Sequence, residues 1–258
     1  MSRSGALIKN TILFAIGSIG SKVLQFALLP LYTRVMTDAE YGTVDILQSI
    51  STILIPLISL TIYDGVFRYA MDSSTSKESA FSVGINVSLI GSLFAIVCGA
   101  LMSATGFYDE YVWVVISYTV SNIFYTVALQ YIRAIDKIKL YAAANILQTF
   151  MIVVFNVVFL VYLKMSVQGY MLGYTLSNLT VFIVVFVAAQ LWKSYSFSSI
   201  NRKTVMDMLK FSIPLIPNTI CWWLTTTVGR LMITAYLGSE ANGVFAVAFA
   251  RFIGGRGA

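Results

Sequence analysis

Histidine is absent from this 258-residue chain. That removes the commonest general base near neutral pH and the commonest zinc ligand. Only two cysteines occur, Cys98 and Cys221, both inside apolar runs and neither with a partner at metal-ligand spacing, so they read as small apolar residues. Charge is scarce as well: 11% of the residues are Asp, Glu, Lys or Arg, against about 25% in a typical soluble chain. There is no Walker A loop, no CxxC, no Ser-His-Asp order and no acidic cluster of metal-site type. No cofactor or metal is implied. A membrane enzyme, such as a glycan polymerase or acyltransferase, would want catalytic His, Asp or Glu at a membrane face or a large polar loop, and neither is present. No Pro/Gly/Ser linker, low-complexity tract or extramembrane domain interrupts the chain.

What is there is mostly hydrocarbon. The chain is 58% hydrophobic with mean hydropathy +0.82, the composition of an all-α polytopic membrane protein. A span needs about 20 apolar residues. Seven such segments run over 11–35, 43–70, 81–104, 111–132, 141–163, 170–192 and 211–237, and an eighth begins near Asn242. Arg3 and Lys9 precede the first run as in a signal peptide, but the run is too long for one and reads as a retained helix.

The turns orient the chain. With the N-terminus in the cytoplasm, thirteen of the 17 Lys and Arg fall on the inside, only Arg34 and Lys164 fall outside, and Lys22 and Arg230 lie within spans. This is the positive-inside pattern of a cell-membrane (inner or plasma membrane) protein. The net charge of +6 is spread over short turns, not gathered on the one face that nucleic acid would require. The stretch 201–210, NRKTVMDMLK, sets Val205, Met208 and Leu209 on one side and charges on the other, which suits a helix at the membrane surface.

A weak repeat divides the chain. The first span leaves through Asp38-Ala39-Glu40-Tyr41-Gly42, the seventh through Ser239-Glu240-Ala241-Asn242-Gly243, and the two glycines stand 201 residues apart. Duplicated bundles are a common transporter architecture. The expected domains are a six-helix lobe over 1–200 and the start of a second, pseudo-symmetric lobe over 201–258. The tail Gly254-Gly255-Arg256-Gly257-Ala258 completes no eighth span, so a truncated chain or a fragment is expected.

Lys22 is the outstanding residue. It lies about 11 residues, roughly 16 Å, from either end of its span. A cation that deep costs of order 2.5–3.5 kcal/mol and needs a wet cavity or a partner. Ser18, Ser21, Gln25 and Tyr32 share its stripe. Lys22 either lines a cavity for an anionic substrate or makes a structural contact inside the bundle. Asp45 lies near the outer end of the second span. Asp64 and Arg68 are i,i+4 neighbours near its inner end, and form either an interfacial salt bridge or a gate. Asn145, Gln148 and Asn156 share a face of the fifth span, for helix–helix hydrogen bonds or for sugar hydroxyls. Pro214 and Pro217 should bend the seventh span. Arg230, about seven residues inside the outer end of that span, offers a planar fork that matches phosphate; its alternative is to snorkel to the headgroups.

Together these residues resemble a known group. The exit Arg34 with Glu40-Tyr41-Gly42, the run Gly65-Val66-Phe67-Arg68-Tyr69, the turn Arg133-Ala134 to Lys137, Lys139, Tyr141 and Asn145, and FSIPLIP at 211–217 followed by Gly243-Val244-Phe245-Ala246-Val247-Ala248 are similar to motifs of the polysaccharide flippases. These are the Wzx-like branch of the multidrug/oligosaccharidyl-lipid/polysaccharide exporter superfamily, and the chain resembles their N-terminal part. In many members an acidic residue precedes the arginine of helix seven; here Gly229 stands in that place. The resemblance implies two six-helix lobes around a cationic cavity and alternating access. It also implies export of a polyprenyl-diphosphate-linked oligosaccharide for O-antigen or capsule synthesis. Membrane lipids, a polysaccharide polymerase and assembly proteins would be partners. Lys22, Gln25, Asn145 and Arg230 would bind substrate, and Asp45, Asp64 and Arg68 would gate or pair. The rivals are a cation-coupled multidrug exporter of the same superfamily, which would rely on intramembrane carboxylates such as Asp45, and a truncated chain that transports nothing.

Overall fold

The computed structural model describes residues 28–72, 75–104 and 110–255, with the side chains of 226 and 249–255 excepted. Lys22 and Gln25, and with them most of the first span, lie outside the described residues. The described chain is almost wholly helical, without strands. A helix over 28–35 (α1) is followed by α2 (Asp38–Ser59), α3 (Ile62–Met71), α4 (Lys77–Ala104) and α5 (Val112–Ala134). Then come α6 (Ile138–Asn156, prolonged by the π-helical turn Val157–Tyr162), α7 (Ser166–Ala188), α8 (Leu191–Ser194), α9 (Arg202–Ser212) and α10 (Leu215–Gly255). Among the described residues, six helices are long and apolar enough to cross a membrane, and the protein is a multi-pass membrane protein.

The packing is that of helices in lipid. On α4 the buried side is small or polar, with Ser82, Gly84, Ser88, Ser92 and Gly99, while Leu89, Ile90, Leu93 and Phe94 are exposed. Small residues let backbones close up where no hydrophobic drive exists between helices. Gly91 shows how far this goes: a Cβ there would stand 2.0 Å from the carbonyl oxygen of Ile58 on α2. Large apolar side chains concentrate in two clusters. One, at the α9 end of the bundle, gathers Ile62, Val66, Phe81, Tyr131, Ile132 and Met208. The other, at the end carrying the α1–α2 turn, gathers Leu28, Tyr32, Leu47, Ile152, Tyr170 and Met171.

Local chemistry sets the breaks. Thr37 caps α2 reciprocally: its hydroxyl accepts from the Glu40 amide at 3.3 Å, and its own amide donates to the Glu40 carboxylate at 2.8 Å. Glu40 also accepts from the Ser166 hydroxyl at the start of α7. The second span is not one helix. Leu60 and Thr61 adopt left-handed backbone (φ 52 and 50), and α3 leaves α2 there. The prolines of the seventh span act differently from expectation. Pro214 sits in the turn between α9 and α10, and Pro217 falls in the first turn of α10, where the missing donor costs nothing. The bend comes at Gly238 instead (φ 87, ψ 171), dividing α10 into two helices at the position expected for the turn. Asn201 caps α9 by accepting from the Lys203 amide at 3.1 Å. Its apolar face, expected on the headgroups, is covered by α3, with Met208 fully buried.

Candidate functional site

Among the described residues, α2, from the first half of the sequence, packs extensively on both parts of α10, from its end. One ion pair lies in this seam. Arg230 Nη1 donates to Asp45 Oδ1 at 2.6 Å, and the two side chains are 24% and 12% exposed. Asn242, fully buried just beyond the Gly238 bend, donates from Nδ2 to the other carboxylate oxygen of Asp45 at 3.3 Å and to the Gly42 carbonyl at 3.2 Å. Two acceptors converging on one atom fix that atom as the amide nitrogen. Asp45 thus holds a cation from one half of α10 and an amide from the other. Deeper in the seam, the Trp223 indole N–H donates to the Ser49 carbonyl at 2.6 Å.

Above the ion pair the two backbones meet. A Cβ on Gly42 would lie 1.9 Å from the Ser239 carbonyl oxygen, and a Cβ on Gly243 would lie 1.9 Å from the Asp38 carbonyl oxygen. Asp38 and Ser239, like Gly42 and Gly243, are 201 residues apart. The contact is therefore reciprocal: each half of the repeat presents a glycine to the same carbonyl of the other, as in an isologous interface. Only glycine permits such an approach.

Beside this junction lies a cluster of tyrosines, Tyr32 and Tyr170 buried and Tyr41, Tyr118 and Tyr174 half-buried. Tyr32 packs on Tyr170 with ring centroids 4.9 Å apart and on Tyr41 at 6.1 Å. Tyr170 donates to Tyr174 at 3.2 Å, and Tyr118 meets Tyr174 edge-on at 6.2 Å. Tyr41 stands one turn before Asp45 on α2. The cluster walls the first half behind the ion pair with large, rigid rings.

The expected site residues fare differently. Asp45 and Arg230 are brought together, and the acid that Gly229 does not provide comes from across the seam. Asn145 faces helices. Its Nδ2 donates to the Tyr141 carbonyl at 2.8 Å and its Oδ1 accepts from Tyr125 at 3.4 Å. Gln148 donates to Asn178 at 2.9 Å in the same α5–α6–α7 seam. Asp64 and Arg68 form no ion pair. The Arg68 guanidinium lies instead over the Phe211 ring, 4.3 Å from its centroid, and near Tyr69 at 5.9 Å. A neighbouring aromatic face on α9 competes with a carboxylate on the same helix and wins. Sequence places Trp223 mid-span and Asn242 in the repeat turn but gives neither a role in the site, and Asn242 reads as a turn residue until α2 is laid beside it. Among the described residues no group of three or more His, Cys, Asp or Glu could hold a metal ion.

This arrangement can be set against known proteins. The family described as polysaccharide biosynthesis protein matches residues 7–251. A Haemophilus influenzae protein of the Lsg locus is 24% identical over 247 residues, covering 93% of this chain and 60% of its own length. The chain thus spans about three-fifths of that relative. The fold is that of MATE transporters. The MATE multidrug transporter DinF-BH superposes with a TM-score of 0.69 at 15% identity, over 95% of this chain and 61% of that one. An inward-facing multidrug resistance MATE family transporter of the MOP superfamily gives 0.53 at 14% identity, over 88% and 60%.

Proposed function

This chain belongs to the polysaccharide biosynthesis protein family, and we propose from that premise that it serves to flip a polyprenyl-diphosphate-linked oligosaccharide across the cell membrane. The reading places the N-terminus in the cytoplasm, as the charge of the turns favours. The observation that carries it is the Arg230–Asp45 pair in the seam between the two halves of the repeat. A guanidinium held by one carboxylate is neutralised at rest, yet can exchange that partner for a diphosphate oxygen when the seam opens. Release of Asp45 and capture of the diphosphate then become one event, which couples substrate binding to movement of the halves. Lys22 and Gln25, outside the described residues, are proposed to bind the same substrate. The chemistry requires no bond to break, so the protein acts as a transporter and not as an enzyme. O-antigen or capsule assembly, with its polymerase and assembly proteins, is the setting in which such a substrate arises.

A cation-coupled drug exporter is the second reading, favoured by the likeness to multidrug MATE transporters. It would use Asp45 as a free carboxylate, and the engagement of Asp45 with Arg230 and Asn242 speaks against this. The test is reconstitution of the chain into vesicles with a fluorescent polyprenyl-diphosphate glycan in the outer leaflet. Flipping is followed by loss of quenching accessibility. The wild-type chain should flip the glycan lipid above protein-free vesicles, and Arg230→Ala and Lys22→Ala should each reduce the rate at least tenfold. Transport of a cationic dye that Asp45→Asn abolishes, with no movement of the glycan lipid, would overturn the reading.

A further inference from the structure

Helices α4 and α7 both pack on α5 from either side and leave a trough between them. Phe124 of α5 forms its floor. Phe81 and Ile85 of α4 form one wall, Phe182 and Phe186 of α7 the other, and Trp192 of α8 closes one end. The trough holds about 410 Å³, within the roughly 300–1,000 Å³ of ligand pockets. Its rings form a continuous series: Phe124 to Phe182 at 5.9 Å, Phe182 to Phe186 at 5.8 Å and Phe186 to Trp192 at 5.9 Å.

The closed end is built, not incidental. Gln190 takes left-handed backbone (φ 55) and turns the chain across the end of α7. Lys137 secures that corner by donating to the Ala189 carbonyl at 3.1 Å. Beyond α8, the Ser196 amide donates to Ser82 Oγ at 2.9 Å, and Asn86 donates to the Tyr195 hydroxyl at 3.2 Å, so the segment is tied down onto α4. The open side runs into the exposed apolar faces of α4 (Leu89, Ile90, Leu93) and α7 (Ile183, Val187). In a multi-pass membrane protein those faces meet hydrocarbon.

Charge marks the same end. Lys77 stands one turn before Phe81, and two before Ile85, so it continues the α4 wall of the trough out to the membrane surface. Lys193 directly follows Trp192. Both lysines are exposed, as is Glu78, which follows Lys77 in the sequence. An apolar channel with two cations at its mouth has the polarity of an anionic amphiphile. A long cationic side chain at this depth can reach the phosphate layer while its stem covers apolar surface.

We propose that the α4–α7 trough is a binding site for one acyl chain of an anionic membrane phospholipid, with the phosphate held between Lys77 and Lys193. It needs only the membrane placement of the chain, not the flippase reading. The tied-down segment 195–196 sets the depth of that acyl chain.

The test uses the full chain in vesicles containing a phosphatidylglycerol with a diazirine near the middle of one acyl chain. Adducts are mapped by mass spectrometry after irradiation. Labelling should concentrate on Phe182, Phe186 and Ile85, saturate, and be competed by unlabelled phosphatidylglycerol more strongly than by phosphatidylcholine of the same chains. The Lys77→Ala and Lys193→Ala variants should each weaken that competition about fivefold, the worth of one lysine near an anionic surface. Ile85→Trp, which fills the trough from its wall, should abolish the saturable labelling while leaving labelling at Leu93 unchanged. That unchanged signal also reports that the variant is folded. Labelling spread evenly over the exposed faces, without saturation, overturns the proposal. So does equal competition by the two phospholipids, or displacement by a polyprenyl phosphate alone.

Discussion

Removing the Asp45 carboxylate should separate the seam. In Asp45→Ala the Arg230 guanidinium keeps its position but loses its anion, and Asn242 keeps one of its two acceptors. Breaking a buried pair by deleting one partner costs about 3–5 kcal/mol, because a charge is left uncompensated. Arg230 is 24% exposed, so the lower end applies: about 3 kcal/mol for Asp45→Ala. Arg230→Ala leaves a carboxylate that Asn242 still contacts, and should cost somewhat less. In the double variant neither charge is stranded, so its loss should fall short of the sum. A coupling energy of at least about 1.5 kcal/mol is expected, the lower bound for close charge pairs. The measurement is unfolding of the purified chain in mixed micelles, followed by tryptophan fluorescence for the parent, both single variants and the double. Trp223, which donates to Ser49 in the same seam, is one of the four tryptophans that give this signal. Effects that add within about 0.5 kcal/mol would mean that the two groups do not interact. The pair would then be no basis for a switch, and the account of diphosphate exchange would fail with it.

Other perturbations probe the surrounding seam. Gly42→Ala and Gly243→Ala should both lower the midpoint of thermal unfolding, by similar amounts, since each Cβ meets a carbonyl at 1.9 Å; Gly229→Ala, with nothing within 4 Å, should raise it slightly. A tolerated Gly42→Ala would deny the close approach. Trp223→Phe leaves the Ser49 carbonyl without its indole donor and should cost about 1 kcal/mol in the same micelles, with unfolding followed by far-ultraviolet circular dichroism. Thr61→Val removes a buried hydroxyl that donates to the Ser212 carbonyl at 2.6 Å and should cost about 1–3 kcal/mol, whereas Thr61→Ser should recover most of it.

Much of this architecture is legible in the sequence because bilayer thickness dictates it. Apolar runs of the right length give the helices, and the offset between Gly42 and Gly243 gives the repeat. The structure turns that offset into a physical contact, since the two glycines face each other's repeat carbonyls. What the sequence hides are choices between competing neighbours. The i,i+4 rule offers Asp64 to Arg68, but the rule is blind to Phe211, which a different helix presents at 4.3 Å. Arg230 has no acid beside it in its own helix, and its partner is 185 residues away. Asn145 carries the same amide whether it meets a sugar or Tyr125, and only the packing of α5 on α6 tells them apart. Pro214 and Pro217 announce a break without saying whether it bends one helix or ends another.

The break at Leu60–Thr61 bears on how such a molecule can move. Left-handed backbone costs roughly 1–2 kcal/mol per non-glycine residue, and two such residues stand in succession. The cost is met locally. The Thr61 amide donates to the Pro56 carbonyl at 3.2 Å, the Asp64 amide to the Thr61 carbonyl at 3.1 Å, and the Thr61 hydroxyl reaches Ser212. The helix pair α2–α3 is thereby fastened to the later part of the chain near both ends. At one end stand the Asp45–Arg230 pair, the Asn242 and Trp223 hydrogen bonds and the glycine crossing, and at the other the Thr61–Ser212 bond with Arg68 stacked on Phe211. Sixteen residues separate Asp45 from Thr61, about 24 Å of helix, so the two fastenings lie near opposite ends of the bundle. A rigid displacement of α2–α3 would have to break both at once. Release of the Asp45 end alone would need only a bend of α2 against α3, and Leu60–Thr61 is where the two helices already part. On the proposed function, the carboxylate, the glycine crossing and the left-handed step would be parts of a single lever, opened at one end by exchange of an anion and tied to α9 at the other.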